Sequence, residues 1–247
     1  SSSRYQLQNS AAGNSNYGWW VGGYIGNPYW SGTTNVDRID YSNDTVTASL
    51  RGPVTSSRYQ TGATGNNNFG YNHAISNNGS NIDRINYSND TATSTSLGLM
   101  DGRIYRTCAV SAVSNGIAPY YGNVLIYPSP FDEIHAFLTD QRRTAYVMGG
   151  ENGLQLSSVN RIDYTNDTAT AIFRGSLASA VSRHSNNTSI SNGYTLGGYY
   201  PSPYYTETTL IQRINYKNDT ATASYRGNIS VATNLGSGVG NQNYGYH

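Results

Sequence analysis

The stretch VDRIDYSNDTVTAS, Val36 to Ser49, occurs four times in the chain with small changes and decides the fold class. In each copy polar and apolar residues alternate on both sides of an Asn-Asp pair, a period of two that is typical of β-strands. Asn and Asp tolerate the positive φ of a tight hairpin turn. Each copy is therefore predicted to be a strand, a tight turn and a strand. The other copies are IDRINYSNDTATST from Ile82 to Thr95, VNRIDYTNDTATAI from Val159 to Ile172 and IQRINYKNDTATAS from Ile211 to Ser224.

A second phrase precedes each copy. It consists of a polar segment, a Gly/Asn turn and an aromatic segment that often ends in Gly-Gly. Paired glycines at a strand end allow a neighbouring backbone to approach closely. The two phrases together predict a unit of four antiparallel strands, about fifty residues long. The second phrases are Tyr5 to Gly23, Tyr59 to Ser76, Ile134 to Gly150 and Ser182 to Gly198.

This unit resembles the kelch repeat of galactose-oxidase-like proteins. That repeat also has an apolar strand ending in Gly-Gly, a strand with Tyr before a short turn, and a fourth strand. Small residues such as Ala48 and Ala171 stand where kelch repeats carry a Trp. The sequence RIDYSNDTVTAS, followed one residue later by RG, also resembles repeats in virion structural proteins of marine bacteriophages. The resemblance implies an all-β, kelch-like β-propeller and makes a viral appendage plausible, and it transfers no catalytic residue.

The copies are unevenly spaced, since their arginines are separated by 46, 77 and 52 residues. The long interval contains a second phrase without its partner, residues 103–123, and the chain ends on another, residues 231–247. We therefore expect an internal duplication: a first half at 1–124, a Pro-containing connection at 125–132 and a second half at 133–247. The halves are expected to close into one propeller of about five to six blades. Alternatively, the half-repeats complete sheets on a neighbouring chain, which would make the protein an assembly subunit.

The composition limits the classes of partner. Charged residues make up 12% of the chain and the net charge is +1, against a usual charged share of about 25%. There is no basic run for nucleic acid and no apolar stretch long enough to span a membrane. A neutral surface with 23 tyrosines suits contacts with other proteins or with sugars. We expect partners among virion or surface proteins in an oligomeric assembly, and a cell-surface glycan as a second class.

Metal and cofactor chemistry is not expected. Galactose-oxidase relatives hold copper with tyrosines and histidines and use a cysteine cross-linked to a tyrosine. This chain has one cysteine, Cys108, and four histidines, none of which shows metal-ligand spacing. The sequence therefore predicts no metal, no cofactor and no catalytic residue, so that the protein is not an enzyme.

The acidic residues of the repeat resemble general acids or bases, but each recurs beside an arginine. A catalytic pair should occur once, whereas a structural pair should occur in every blade. Arg38 with Asp44, and Arg161 with Asp167, are therefore predicted to be ion pairs within hairpins or between blades. The full set of predicted structural residues is Arg38, Asp44, Arg84, Asp90, Arg161, Asp167, Arg213 and Asp219.

Two aromatic loops are the candidate binding sites. YIGNPYWSGTT follows Gly23 and YYPSPYYTETT follows Gly198. Proline stiffens these loops, and flat aromatic rings suit a sugar ring or the surface of a partner protein. The alternative is that the rings cap the propeller edge or pack on adjacent blades. The candidate residues are Tyr24, Tyr29, Trp30, Tyr199, Tyr200, Tyr204 and Tyr205.

Two functions are consistent with these patterns. The first is a structural or adhesive propeller of a phage virion, tail fibre or other extracellular appendage, making protein–protein contacts and recognising a host surface. The alternative is a secreted, lectin-like propeller that binds glycans. Both place the protein outside the cell or on a virion.

Overall fold

The computed structural model describes residues 4–5, 10–26, 31–73, 80–100, 102, 104, 106–111, 144–189, 191–201, 206–240 and 245–246. The first strands in chain order are β1 (Arg4–Tyr5), β2 (Ala11–Gly13), β3 (Tyr17–Val21), β4 (Tyr24–Ile25), β5 (Ser31–Gly32), β6 (Val36–Asp40), β7 (Ser49–Arg51), β8 (Ala63–Gly65), β9 (Phe69–His73), β10 (Asn81–Asn86) and β11 (Thr95–Leu99). They are followed by β12 (Cys108–Ser111), β13 (Thr144–Met148), β14 (Ser158–Asp163), β15 (Ile172–Ser176), β16 (Ser185–Thr188), β17 (Asn192–Leu196), β18 (Thr208–Asn215), β19 (Ser224–Thr233), β20 (Val239–Gly240) and β21 (Gly245–Tyr246). Two short 3-10 helices lie at Tyr87–Asn89 and Tyr216–Asn218.

The strands form four antiparallel four-stranded sheets, which are arranged as the blades of a β-propeller. The blades are β2-β3-β6-β7, β8-β9-β10-β11, β12-β13-β14-β15 and β16-β17-β18-β19. The second phrase contributes the first and second strands of the first, second and fourth blades, and the second strand of the third blade. The repeated phrase contributes the third strand and the turn, and the fourth strand begins only at the last residue of each copy, as at Ser49. The prediction of a strand over the latter part of each copy, after a tight turn, was therefore wrong. The first strands of neighbouring blades contact each other in the order β2, β8, β12, β16, which places them on the inside. The predicted all-β propeller of four-stranded antiparallel units is confirmed.

The blade count differs from the expected five to six, because four blades lie in the described part of the chain. The third blade begins with β12, whose Cys108 pairs with Met148 of β13. The half-repeat at 103–123 therefore supplies the first strand of the third blade instead of starting a blade of its own. The expected connection at 125–132 lies outside the described residues, and the chain on its two sides shares this blade.

The turns of the repeat were wrongly predicted to have positive φ. In the second blade the Asn86 side chain accepts a hydrogen bond from Ser88 N at 3.1 Å, and a 3-10 turn follows. Asp90, which ends that turn, has φ −75°. The side-chain cap satisfies the backbone, so that no left-handed residue is needed. Among the described non-glycine residues, positive φ occurs instead at Gln60, Arg106, Arg183 and Leu235.

The Gly-Gly pairs allow the close approach that the sequence predicts. Gly22 has φ +70°, and a Cβ on it would lie 2.5 Å from the carbonyl oxygen of Arg58. The N–H of Gly23 donates to that same oxygen at 2.8 Å. In this way the end of the second strand holds the segment that leads into the next blade.

The hydrophobic core lies between blades and not in one central mass. One buried cluster joins Tyr146 and Val159 of the third blade to Ile214 and Tyr216 of the fourth. Two similar clusters join the first blade to the second and the second to the third. Each blade is therefore stabilised by its neighbours. In the part of the chain that the structure describes, no helix is long and apolar enough to cross a membrane.

Candidate functional site

The recurring arginines and aspartates meet at the boundary between neighbouring blades. Arg38, in the third strand of the first blade, donates to Asp90 in the turn of the second blade at 3.0 Å. Pairing between blades was one of the two predicted arrangements, but the predicted partners within one repeat were wrong. The aspartates of the second, third and fourth blades each reach back to the preceding blade, so Arg38 pairs with Asp90 and not with Asp44. The next two boundaries repeat this relation: Arg84 with Asp167 at 2.6 Å, and Arg161 with Asp219 at 3.2 Å.

An aromatic side chain completes each boundary. Trp19, which is fully buried, donates from Nε1 to Asp90 at 2.9 Å. Its ring stacks on Tyr87 of the second blade with centroids 3.9 Å apart. We call this set of four residues, the aromatic and Arg of one blade with the Tyr and Asp of the next, the joint. The other two joints place Tyr71 with Tyr164 and Tyr146 with Tyr216, at centroid distances of 4.7 and 5.0 Å.

The aromatic member of the third joint, Tyr146, is a neutral hydrogen-bond donor. Burial, with the nearby Asp219, raises the pKa of Tyr146 to about 12. The Tyr146 hydroxyl donates to Asp219 at 3.0 Å, while Arg161 and Arg174 donate to the same carboxylate. The Asp219 carboxylate therefore accepts hydrogen bonds from three side chains. The joint therefore links two neighbouring blades through hydrogen bonds to one carboxylate.

At the two ends of the row of blades, residues that correspond to joint members have no described partner blade to contact. Asp44 and Tyr41 of the first blade are exposed, whereas Asp90 and Asp167 are buried. At the other end, Arg213 forms no ion pair with a described residue, unlike Arg38 and Arg161. The first blade thus ends the row with the aspartate of a joint, Asp44, and the fourth blade ends it with the arginine of a joint, Arg213.

Two histidines lie in the interior. His73 and His184 are buried, and burial lowers the pKa of each to about 4. The Nε2 atom of His73 lies 2.5 Å from the hydroxyl of Thr107. Cys108 is also buried and donates through its thiol to the carbonyl oxygen of His184. Nowhere among the described residues do three His, Cys, Asp or Glu side chains come together in a way that would hold a metal ion.

The described aromatic candidates lie where the second strand of a blade leads into the third. Tyr24 follows the glycine pair of the first blade, and its ring centroid is 4.1 Å from that of Tyr59. Burial and the neighbouring Tyr59 raise the pKa of Tyr24 to about 12. Tyr199 has the same place in the fourth blade, where the Arg183 guanidinium lies 5.0 Å from its ring centroid. Both rings are half-buried against segments that connect blades.

The remaining candidates divide into two groups. The N–H of Tyr200 donates to the carbonyl oxygen of Thr206 at 3.0 Å, which closes the base of the second aromatic loop. The tips of both loops, with Tyr29, Trp30, Tyr204 and Tyr205, lie outside the described residues.

A polar cluster that the sequence did not reveal lies on the same side of the propeller. Arg106 forms an ion pair with Glu151 and donates from Nε to Gln60 Oε1 at 3.1 Å. Glu151 also accepts from the Ser182 hydroxyl at 3.1 Å. These residues come from the second, third and fourth blades or the segments before them, and no motif links them in sequence. The one feature that could have pointed to the cluster is position in the repeat, because Gln60 and Arg106 each lie a few residues before the first strand of a blade.

The comparisons with known proteins give no further assignment. The chain matches no protein-family model, and a search of curated proteins returns no match.

Proposed function

We propose that the protein is a non-enzymatic, kelch-like structural propeller that works through protein–protein contacts in a virion or an extracellular appendage. The observation that carries this proposal is the contrast between joints within the chain and the two ends of the row. Within the row of blades, Asp90 and Arg161 form ion pairs with residues of the neighbouring blade. At the ends, Asp44 is exposed and Arg213 is only half-buried with no ion pair to a described residue, and we infer that both are left for contacts with other molecules.

The chemistry of the buried groups supports a structural function. The described joint carboxylates accept hydrogen bonds from arginine and aromatic donors. The two interior histidines are neutral at physiological pH, because burial lowers the pKa of each to about 4.

Immunogold electron microscopy of the source material tests this proposal. Antibodies against the chain should label virions or surface appendages at a constant position. A control labelling with pre-immune serum should leave the same particles unmarked. Label found only in the soluble interior of cells would overturn the proposal.

Glycan binding is the second candidate, and the half-buried rings of Tyr24 and Tyr199 on one side of the propeller favour it. Arg106 and Glu151 add hydrogen-bonding groups on that side. Aromatic faces beside charged groups suit sugar rings, whose apolar faces stack while their hydroxyls hydrogen-bond.

A glycan array tests the second candidate with the wild type and with Trp30→Ala, Tyr199→Ala and Tyr205→Ala. We expect the loop variants to lose binding. Tyr41→Ala is the matched control, because Tyr41 lies at the opposite end of the strands and should leave binding unchanged. An array on which the wild type binds nothing, or on which the loop variants bind normally, would remove this candidate.

A further inference from the structure

The C-terminal hairpin β20–β21 repeats the inner half of a blade. Gly240 pairs with Gly245 across this hairpin. The first two strands of the first and second blades are joined in the same way, as in the pair Gly65 with Gly70. Both β20 and β21 contact β16, the inner strand of the fourth blade, just as β16 contacts β12. The hairpin therefore occupies the inside of a fifth position in the propeller.

A row of backbone hydrogen bonds leads to the same position. Arg106 N donates to Gln60 O at 3.0 Å, and Arg183 N donates to Arg106 O at 2.9 Å. Leu235 N continues the row by donating to Arg183 O at 2.7 Å. All four of these residues have φ between 54° and 61°. Leu235 thus precedes the hairpin in the way that Gln60, Arg106 and Arg183 precede the second, third and fourth blades.

The outer half of the fifth position is open in the described structure. A Cβ on Gly98 would lie 2.0 Å from the carbonyl oxygen of Ala169 in the next blade, whereas nothing lies within 4 Å of one on Gly227. Arg174 is bonded to Asp219 of the next blade at 2.8 Å, whereas its counterpart Arg226 is exposed. Among the described residues, no neighbour covers this joint surface of the fourth blade.

The aromatic member of this surface is also in place. Tyr194 pairs in register with Arg213, as Tyr71 pairs with Arg84 in the second blade. Tyr71 is 2% exposed beneath its partner tyrosine, while Tyr194 is only half-buried. We define the open joint as Tyr194, Arg213, Arg226 and Gly227.

We propose that the open joint and the hairpin β20–β21 bind a two-stranded β-hairpin of the Tyr-Xaa-Asn-Asp-Thr type from another protein chain. This proposal rests on the proposed function and names the partner's chemistry. The three joints inside the chain show what such a hairpin supplies: a tyrosine ring to stack on Tyr194 and a carboxylate to accept from Arg213 and Arg226. A backbone carbonyl in the turn of the bound hairpin would pack on Gly227, as the Ala169 carbonyl packs on Gly98.

The occupant is a hairpin and not a complete blade of a second copy. In a complete blade, as in the first blade here, β6 is already paired with β3. Such a blade would bring its own β2 and β3 to the place that β20 and β21 hold. A free hairpin supplies only the outer two strands, and it can extend the sheet from the edge of β21 by strand addition.

A fluorescent peptide with the sequence of residues 81–99 tests the proposal, because this segment fills a joint in the second blade. We expect saturable binding to the 247-residue chain. The Asp90→Asn peptide, and the protein variants Arg213→Gln and Arg226→Gln, should each bind about ten-fold more weakly, since each loses a charged hydrogen bond. Lys217→Gln is the matched control, because it removes a positive charge from the turn of the same blade and should bind normally.

Circular dichroism of each variant shows whether it is folded. Arg213 and Arg226 are not fully buried, so both variants are expected to keep the wild-type spectrum. Absent peptide binding, or binding that neither Arg213→Gln nor the Asp90→Asn peptide weakens, overturns this inference. That result leaves the proposed function standing if the protein is still located on particles, so the two failures are distinguishable.

Discussion

The hydroxyl of Tyr71 in the second blade donates a hydrogen bond of 3.0 Å to Asp167, which lies 96 positions later in the third blade. Arg84 donates to the same carboxylate oxygen at 2.6 Å. The tyrosine ring also stacks on Tyr164, so that polar and apolar contacts converge on one small region. Because this region recurs at every boundary between described blades, it is the unit that converts separate sheets into a propeller.

The first prediction concerns the carboxylate of the joint. Asp167→Asn should lower the free energy of unfolding by about 2 kcal/mol, because two donors lose a charged acceptor in a largely buried place. Urea unfolding followed by circular dichroism measures the change. Asp44→Asn is the matched control: Asp44 has the same place in the repeat but is exposed, so its replacement should leave the unfolding midpoint unchanged. Equal losses in the two variants would show that the joint does not stabilise the fold.

The second prediction concerns the close contact between blades at Gly98. Gly98→Ala should destabilise the protein by about 2 kcal/mol or more, because the new Cβ would lie 2.0 Å from the backbone oxygen of Ala169. Backbone cannot move aside as a flexible side chain can. Ser96→Ala in the same strand is the control, since Ser96 is exposed and its change should have little effect. Thermal unfolding of both variants decides the matter, and a Gly98→Ala melting temperature equal to that of Ser96→Ala would count against this packing.

The third prediction concerns a buried ion pair within the second blade. Arg58 and Asp83 are 2.7 Å apart and both side chains are 0% exposed. Arg58→Met should cost about 3–5 kcal/mol, because it leaves the Asp83 carboxylate buried with hydroxyl and backbone donors alone. The third and fourth blades carry the neutral Asn160 and Gln212 at the place of Asp83.

A double-mutant cycle completes this test. The pair Arg58→Met with Asp83→Asn should be less destabilised than the sum of the two single variants, since the remaining amide is neutral. Additive losses would mean that the two charges do not depend on each other.

The fourth prediction is a loss of stability in mild acid. Burial lowers the pKa of His73 and His184 from 6.5 to about 4, with the Arg58 charge as a further cause for His73. Between these values the unfolded chain binds protons that the folded chain does not, so stability is full above pH 6.5 and falls as the pH is lowered toward 4. Each histidine contributes a slope of up to about 1.4 kcal/mol per pH unit within this window.

Urea unfolding at a series of pH values measures this slope. His184→Gln should flatten the pH dependence, because it removes one of the two groups that gain a proton on unfolding. A wild-type stability that stays constant or rises from neutral pH to pH 5 would contradict the assignment of neutral, buried histidines.

The four-stranded unit was predictable because its signals are local. Period-two alternation marks the strands, and the predicted order of the aromatic strand and the repeated phrase reappears as the pairing of Trp19 with Arg38. The close approach at the glycine pairs was also predicted correctly, since it depends mainly on the missing side chains of residues such as Gly22. The turn geometry was not predicted correctly, because an Asn such as Asn86 serves equally well as a side-chain cap or as a left-handed residue.

The candidate site was predictable only in part. Tyr24 and Tyr199 share a place in the fold, as their matching loops suggested, but the cluster around Arg106 and Glu151 left no sequence pattern. Its members are far apart in the chain and meet only because the segments before successive blades converge. The role of the half-repeat at 103–123 was missed for a related reason, since Cys108 to Ser111 pairs with a strand far along the chain.

By itself the sequence determined that this chain repeats a four-stranded antiparallel unit, because alternation, turn residues and glycine pairs act over a few neighbouring positions. Only the tertiary structure decided which arginine meets which aspartate. All repeats carry the same groups, so Arg38 is chemically suited to Asp44 and to Asp90 alike, and the packing of one blade on the next selects Asp90. The same packing leaves Arg213 at the end of the row beside half a blade.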